Sequence, residues 1–274
     1  MKLPFDESKF KTKKELFKHI VANKEDLITH AKSIIKEADA YSFFSMQNKV
    51  NNKETVNKDN EFVKNPPNEL NVLAVINTTN LMDSHKDVHM PGLWSKSLQE
   101  NQRIKHRREH KQGFDMIISS GIDLIAYAKT YSWKDLGYDL EGKTEALVFD
   151  SNVRKERNSF MHEQYAKGYV DNHSVGMRYV KLTFCCNDDD FGAEFEAWEK
   201  YFPSVLNKED AENAGYFWAV TEAKIIEGSA VGDGSNHLTP TLENNKTKPP
   251  KALKSLGTSE PRKALDINKL INLL

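Results

Sequence analysis

The sequence predicts an α+β fold, with many short strands in a mixed or antiparallel sheet or barrel, helices around it and a helical N-terminal extension. Three observations carry this. Between residues 69 and 238, runs of strand length are dense in β-branched and apolar residues. These runs do not alternate regularly with helical stretches, which argues against a doubly wound parallel sheet. Residues 1–46, by contrast, carry apolar positions at helical spacing.

Taken in order, Thr12 and Glu15 have the spacing of a capping box. Leu16, Phe17, Ile20, Val21, Leu27, Ile28, Ala31, Ile34, Ile35 and Ala38 then recur on one helical face, as one helix or as two broken near Asn23. Residues 47–68 are polar, rich in Asn and Lys, and end in Pro66-Pro67, the composition of a linker. Leu70 to Thr78, Met116 to Ser119, Leu124 to Thr130 and Glu145 to Phe149 read as strands. Arg154 to Lys167 reads as a helix that Gly168 ends. Tyr169 to Phe184 reads as a long strand, followed by the acidic loop Asp188-Asp189-Asp190. Short helices are expected around Glu194 to Tyr201 and Lys208 to Ala214, and a last strand at Tyr216 to Val231. Residues 239–274 read as a flexible, Lys/Pro-rich tail that closes on a short amphipathic segment, Leu265 to Leu274, expected as a terminal helix.

Composition narrows the function. The 274 residues are 38% hydrophobic, enough for a sizeable core, and 29% charged, yet the net charge is only -1. No global basic field draws the chain to nucleic acid. No run of about 18 apolar residues suggests a membrane span, and MKLPFDESKF lacks the apolar centre of a signal peptide. The two cysteines, Cys185 and Cys186, are adjacent, a poor basis for a disulfide and too few for a thiolate zinc site. A reducing compartment is expected.

Three stretches hold residues suited to chemistry: IKHRREH (104–110), NHSVGM (172–177) and EAKIIEGSAV (222–231). A serine hydroxyl is a weak nucleophile that needs a neighbouring base, usually a histidine oriented by a further polar group. Ser174 opens a β-rich run, and Gly176, two residues on, would let backbone approach a substrate; the same serine also fits as a plain strand residue. His110 is the candidate base, with His106 and His173 as competitors. His173 adjoins Ser174 and would point to the opposite face of a strand. Glu227 sits in an apolar strand, where a carboxylate needs a partner, whether catalytic or a structural ion pair. By the two-residue period Ala223, Ile225, Glu227 and Ser229 share a face, with Glu222 on the other as the fallback acid. His106 to His110 also matches His-x-x-Glu-His, which on a helix would place both rings on one metal in a zinc peptidase.

The order and texture of these stretches resemble the tailed-phage prohead (capsid maturation) serine proteases, relatives of the herpesvirus assemblins. The likeness runs through INTTNLMDSHKDVHMPGLWSKSL (76–98), REHKQGF around His110, NHSVGMRYVKL at Ser174 and IIEGSAVGDGSN (225–236), and so covers about residues 70 to 240. The chain departs from the family in lacking its hydrophobic-His-Asp pattern at the histidine, and in an insertion with the Trp198 helix between Ser174 and Glu227. The resemblance implies an assemblin-like, mostly antiparallel β barrel with surrounding helices over residues 69–238. It implies Ser174 as nucleophile, His110 as general base and Glu227 as third member, with no role as nucleophile for Ser229. Neither metal nor organic cofactor is called for. The implied substrates are scaffold or major capsid protein extensions, and the enzyme itself, cut inside a prohead assembling in the host cytoplasm, with self-association possible. An inactive scaffolding protein of the same fold, or the zinc peptidase, are the alternatives.

Overall fold

A computed structural model describes residues 4–35, 66–100, 103–234 and 236–243. The expected linker lies outside the described residues except at 66–68, and so does the terminal amphipathic segment. Helix α1 (Lys13–Ala22) starts where the capping box places it. The Thr12 hydroxyl accepts from the Glu15 N–H, while the Glu15 carboxylate reaches the N–H of Lys11. The helical pattern does break at Asn23, and α2 (Lys24–Ser33) follows. Leu16, Phe17, Ile20, Leu27 and Ala31 are buried in the same cluster as Phe184, Tyr216 and Trp218. The two helices therefore pack directly on the strands of the core.

The strands form two sheets. β1 (Glu69–Thr78) heads the chain's β region, and β2 (Asp87–His89) follows a loop. After α3 (Ser95–Glu100) come β3 (Lys105–Arg108), β4 (Ile117–Ser120), β5 (Leu124–Ser132) and β6 (Lys143–Arg154). Helix α4 (Ser159–Ala166) leads to β7 (His173–Cys186). Helices α5 (Gly192–Tyr201) and α6 (Lys208–Ala214) precede β8 (Tyr216–Ala230), and β9 (Thr241–Glu243) closes the described chain. One sheet has the order β5-β6-β1-β9, antiparallel throughout. In the other, β8 pairs antiparallel with β7 along one edge. Its other edge carries β2 at one end and β3 at the other, both parallel, and β4 adds to β3. The fold is thus α+β, mostly antiparallel, with two short parallel pairings. Among the described residues no helix is long and apolar enough to cross a membrane.

One expected element is corrected. Arg154 belongs to the end of β6, where Val153 is fully buried and paired with Leu70. The helix begins only at Ser159, because the Asn158 side chain caps it by accepting from the N–H of Met161. Gly168, at φ 68°, does end it. Strands β2 and β3 escape sequence reading for a physical reason. Each spans three or four residues, and in KHRR only His106 is buried, so no apolar alternation is visible.

Candidate active site

The pairing of β7 with β8 brings together residues 51 to 55 positions apart. Ser174 lies opposite Ser229, and Gly176 opposite Glu227. Directly paired residues on antiparallel strands present their side chains to one face, so these four share a face. The two-residue alternation is interrupted just beyond them. Glu227 pairs with Gly176 but Ile225 pairs with Met177, leaving Ile226 as an extra residue in β8. The expectation that Ala223 and Ile225 share the face of Glu227 and Ser229 is therefore corrected. Ala223 and Ile225 are in the main core, whereas Glu227 and Ser229 lie on the face turned away from the other sheet. Gly228, between them, points inward, where an added Cβ would collide with Phe149 and Ile76.

His110 reaches this outer face through a strained turn. The N–H of Lys111 bonds to the carbonyl of Arg108 at 3.0 Å, and the two central residues, Glu109 and His110, have φ of 52° and 56°. Two positive φ values in a four-residue turn are the signature of type I′, which favours Gly and Asn. Non-glycine residues there cost roughly 1–3 kcal/mol each and persist when their surroundings over-determine them. His110 is held at both ends: its backbone N–H donates to Ser229 Oγ at 3.0 Å, and its ring Nδ1 lies 2.6 Å from Glu227 Oε1.

The carboxylate of Glu227 is the hub. Oε1 takes the His110 ring and Oε2 accepts from the Ser229 hydroxyl at 2.5 Å. The side chains of His110 and Glu227 are 8% and 4% exposed, so this pair is shielded from water. With Nδ1–H donated to the carboxylate, a neutral ring would carry its lone pair on Nε2. Nε2 is buried and makes no hydrogen bond, to Ser174 or to any other described group. Gly176 has a different role from the one the sequence suggests. A Cβ there would lie 2.2 Å from Glu227 Oε1, so the glycine makes room for the acid, which leans from β8 over β7.

The competing histidines are elsewhere. His106 pairs with Gly228 and, like it, faces the interior. Its Nδ1 meets Ser151 Oγ at 2.8 Å and its Nε2 meets the Tyr165 hydroxyl at 3.2 Å. His173 also meets that hydroxyl, at 3.1 Å, and its Nδ1 meets the Thr239 carbonyl. Burial holds the His106 pKa well below the usual imidazole range and brings that of His173 down to about 4. Both rings are structural. The metal reading of His106 and His110 does not fit either. The segment is a strand and a tight turn, not a helix, and both nitrogens of His106 are engaged by hydroxyls. Among the described residues, the only grouping of possible ligands at metal spacing is the exposed Asp188-Asp189-Asp190. The fallback acid Glu222 pairs with Lys181 and Lys96 instead. Cys185 and Cys186 are free, and burial pushes both thiols up to about 12, away from thiolate chemistry.

Ser229 is the residue that sequence reasoning undervalued. It is fully buried and tied to both His110 and Glu227, so it holds the pair in place, a role the sequence reading did not assign to it. Its two-residue spacing from Glu227 in a strand was the available signal. Comparison with protein-family models, with curated proteins and with solved structures gives no match to this chain.

Proposed function

We propose that the chain is a serine endopeptidase of the prohead-protease type, with Ser174 as nucleophile, His110 as general base and Glu227 as the acid that orients it. The carrying observation is the Glu227–His110 pair beside Ser174, with Nδ1 committed to the carboxylate and Nε2 unpartnered. Ser174 is 8% exposed, whereas Ser229, the other serine of this face, is fully buried and already bonded. On this reading Ser174 Oγ attacks a peptide carbonyl carbon and its proton passes to Nε2. Nε2 returns the proton to the amine as the C–N bond breaks, and water releases the acyl-enzyme by the same route. Glu227 stays ionised and holds the imidazolium through Nδ1–H. The two packed sheets with flanking helices would then correspond to the assemblin-like barrel. The substrates would be scaffold or capsid-protein extensions, and the chain itself, inside a prohead in the host cytoplasm.

The test is Ser174→Ala, with exposed Ser204→Ala as the control, since Ser229 cannot serve. Co-expression with the capsid precursor and fluorophosphonate labelling of the purified protein read the outcome. Loss of a triad nucleophile costs about 10⁶ in turnover. We expect Ser174→Ala to remain folded, to take no label and to leave precursor uncut. Labelling or cleavage at the wild-type rate in Ser174→Ala refutes the assignment.

A further inference from the structure

We infer that Arg178 and Lys224 bind an acidic side chain of the substrate, about four residues from the scissile bond; this rests on the serine-protease reading above. Both stand on the strands that carry the site. Arg178 lies directly opposite Lys224 in the β7–β8 ladder, and both are exposed. Their face follows from the register. Gly176 pairs with Glu227 on the outer side and Met177 with buried Ile225 on the inner side, so the next pair, Arg178 and Lys224, returns to the outer side. Ser174 and Arg178 are therefore on one face of one strand. They are about 13 Å apart at roughly 3.3 Å per residue, a distance that a peptide lying extended along β7 spans in about four residues.

The pairing of these two cations is costly, because like charges directly opposite each other on antiparallel strands destabilise a sheet. The neighbouring acids of β8 are already engaged. Glu222 holds Lys181 at 2.6 Å and Lys96 at 3.6 Å, and Glu227 holds the His110 ring. Among the described residues neither Arg178 nor Lys224 forms an ion pair or a side-chain hydrogen bond. A local cost with no compensating contact marks a place where a ligand supplies the contact. A carboxylate is suited to it: it lies between the two positive charges and can accept two parallel bonds from the guanidinium. The chain as a whole has a net charge of -1, so the attraction belongs to this part of the face and not to the overall field. The strip leads along β7 to Ser174, which favours a carboxylate of the peptide being cut over the phosphates of a nucleic acid.

Two soluble peptides of equal length test this on the full chain, as competitors of fluorophosphonate labelling of Ser174. One alternates glutamate with serine, the other glutamine with serine. Exposed ion pairs are individually weak, so we expect the acidic peptide to halve labelling at a concentration about three- to tenfold lower than the neutral one. The double variant Arg178→Gln/Lys224→Gln should bring that ratio close to one, while Lys129→Gln/Lys208→Gln, which removes the same charge elsewhere, should keep it. Relief of the like-charge pair should also raise Tm in the first variant, by about 1–3 °C. A fall in Tm would make the pair structural and overturn the inference. Equal competition by the two peptides in labelled wild type refutes the subsite and leaves the protease reading standing. A preference that survives in folded Arg178→Gln/Lys224→Gln, or that is lost equally in the control, also refutes it. An oligothymidylate of matched charge that competes as well as the acidic peptide would assign the pair to phosphates and overturn the peptide reading. If Ser174 takes no label at all, the nucleophile assignment falls and the subsite with it.

Discussion

Gly176→Ala isolates the contact on which the acid's position depends. Gly176 is not among the residues at positive φ, so the backbone itself accepts alanine. The whole effect therefore comes from space: the new methyl would lie 2.2 Å from Glu227 Oε1, 3.0 Å from Cδ and 3.1 Å from Cγ. Glu227 cannot simply tilt, because Oε1 holds the His110 ring and Oε2 holds Ser229. Overpacking of a tight interior costs about 1–3 kcal/mol, which for a chain of this size lowers Tm by roughly 2–12 °C. Catalysis should fall further, because displacing Oε1 frees the imidazole to adopt the wrong tautomer; uncoupling the acid in a triad costs about 10⁴ in turnover. Calorimetry and fluorophosphonate labelling of Ser174 measure the two effects separately. A variant that melts and labels like the wild type would show that Glu227 does not lean over Gly176, and the proposed orientation of His110 would fail with it.

Two further outcomes are expected. Ser229→Ala leaves Glu227 Oε2 without its donor and the His110 N–H without its acceptor, an unsatisfied-group cost of about 1–3 kcal/mol. Labelling of Ser174 should slow but persist, where Ser174→Ala abolishes it, and complete loss of labelling in folded Ser229→Ala would move the nucleophile. Stability should also fall with acid through the inner face. Burial lowers the pKa of His173 from 6.5 to about 4, and that of His106 in the same direction. The unfolded chain then binds more protons than the folded one below pH 6.5. Stability from keeping these rings neutral is complete above about 6.5 and is lost as pH falls toward 4. For His173 alone this amounts to about 3 kcal/mol at 1.36 kcal/mol per pKa unit. Denaturant titrations at pH 7 and pH 4.5 should differ accordingly in the wild type, and by less in His173→Gln; an equal difference in both would refute it.

Much of the scaffold was legible because its signals are local. The Thr12 cap, the break at Asn23, the glycine at 168 and the long apolar strands β1, β7 and β8 follow from spacing and side-chain shape. The errors arose where pairing overrides local pattern. Arg154 is claimed by β1 for a strand. KHRR becomes a strand because β8 offers it an edge, although only one of its side chains is buried. The two-residue period assigned Ile225 and Glu227 to one face, and it could not foresee that the extra residue at Ile226 separates them. For the site, Ser174, His110 and Glu227 were all within the stretches singled out, but the choice between His106 and His110 needed the sheet. His106 lies in register with Gly228, on the inner face, while the turn at Glu109 and His110 returns the second ring to the outer one.

That register also explains why two short patterns some fifty residues apart have the form they do. Ser174-x-Gly176 and Glu227-x-Ser229 are antiparallel neighbours, so each serine faces the other and the glycine faces the acid. The large side chain of one strand is accommodated by the missing side chain of the other. Because Glu227 leans toward β7, the imidazole bonded to it lies over the outer face of β8, the face that Ser174 and Ser229 share. A slip of one residue between β7 and β8 would turn the acid inward and oppose Gly176 to a different residue. The pairing is therefore fixed twice, by the apolar inner face that Gly228, Val175 and Ile225 supply and by the hydrogen bonds of the outer one. The same inner face commits His106 and His173 to Tyr165, which leaves His110 as the histidine tied to this set of residues.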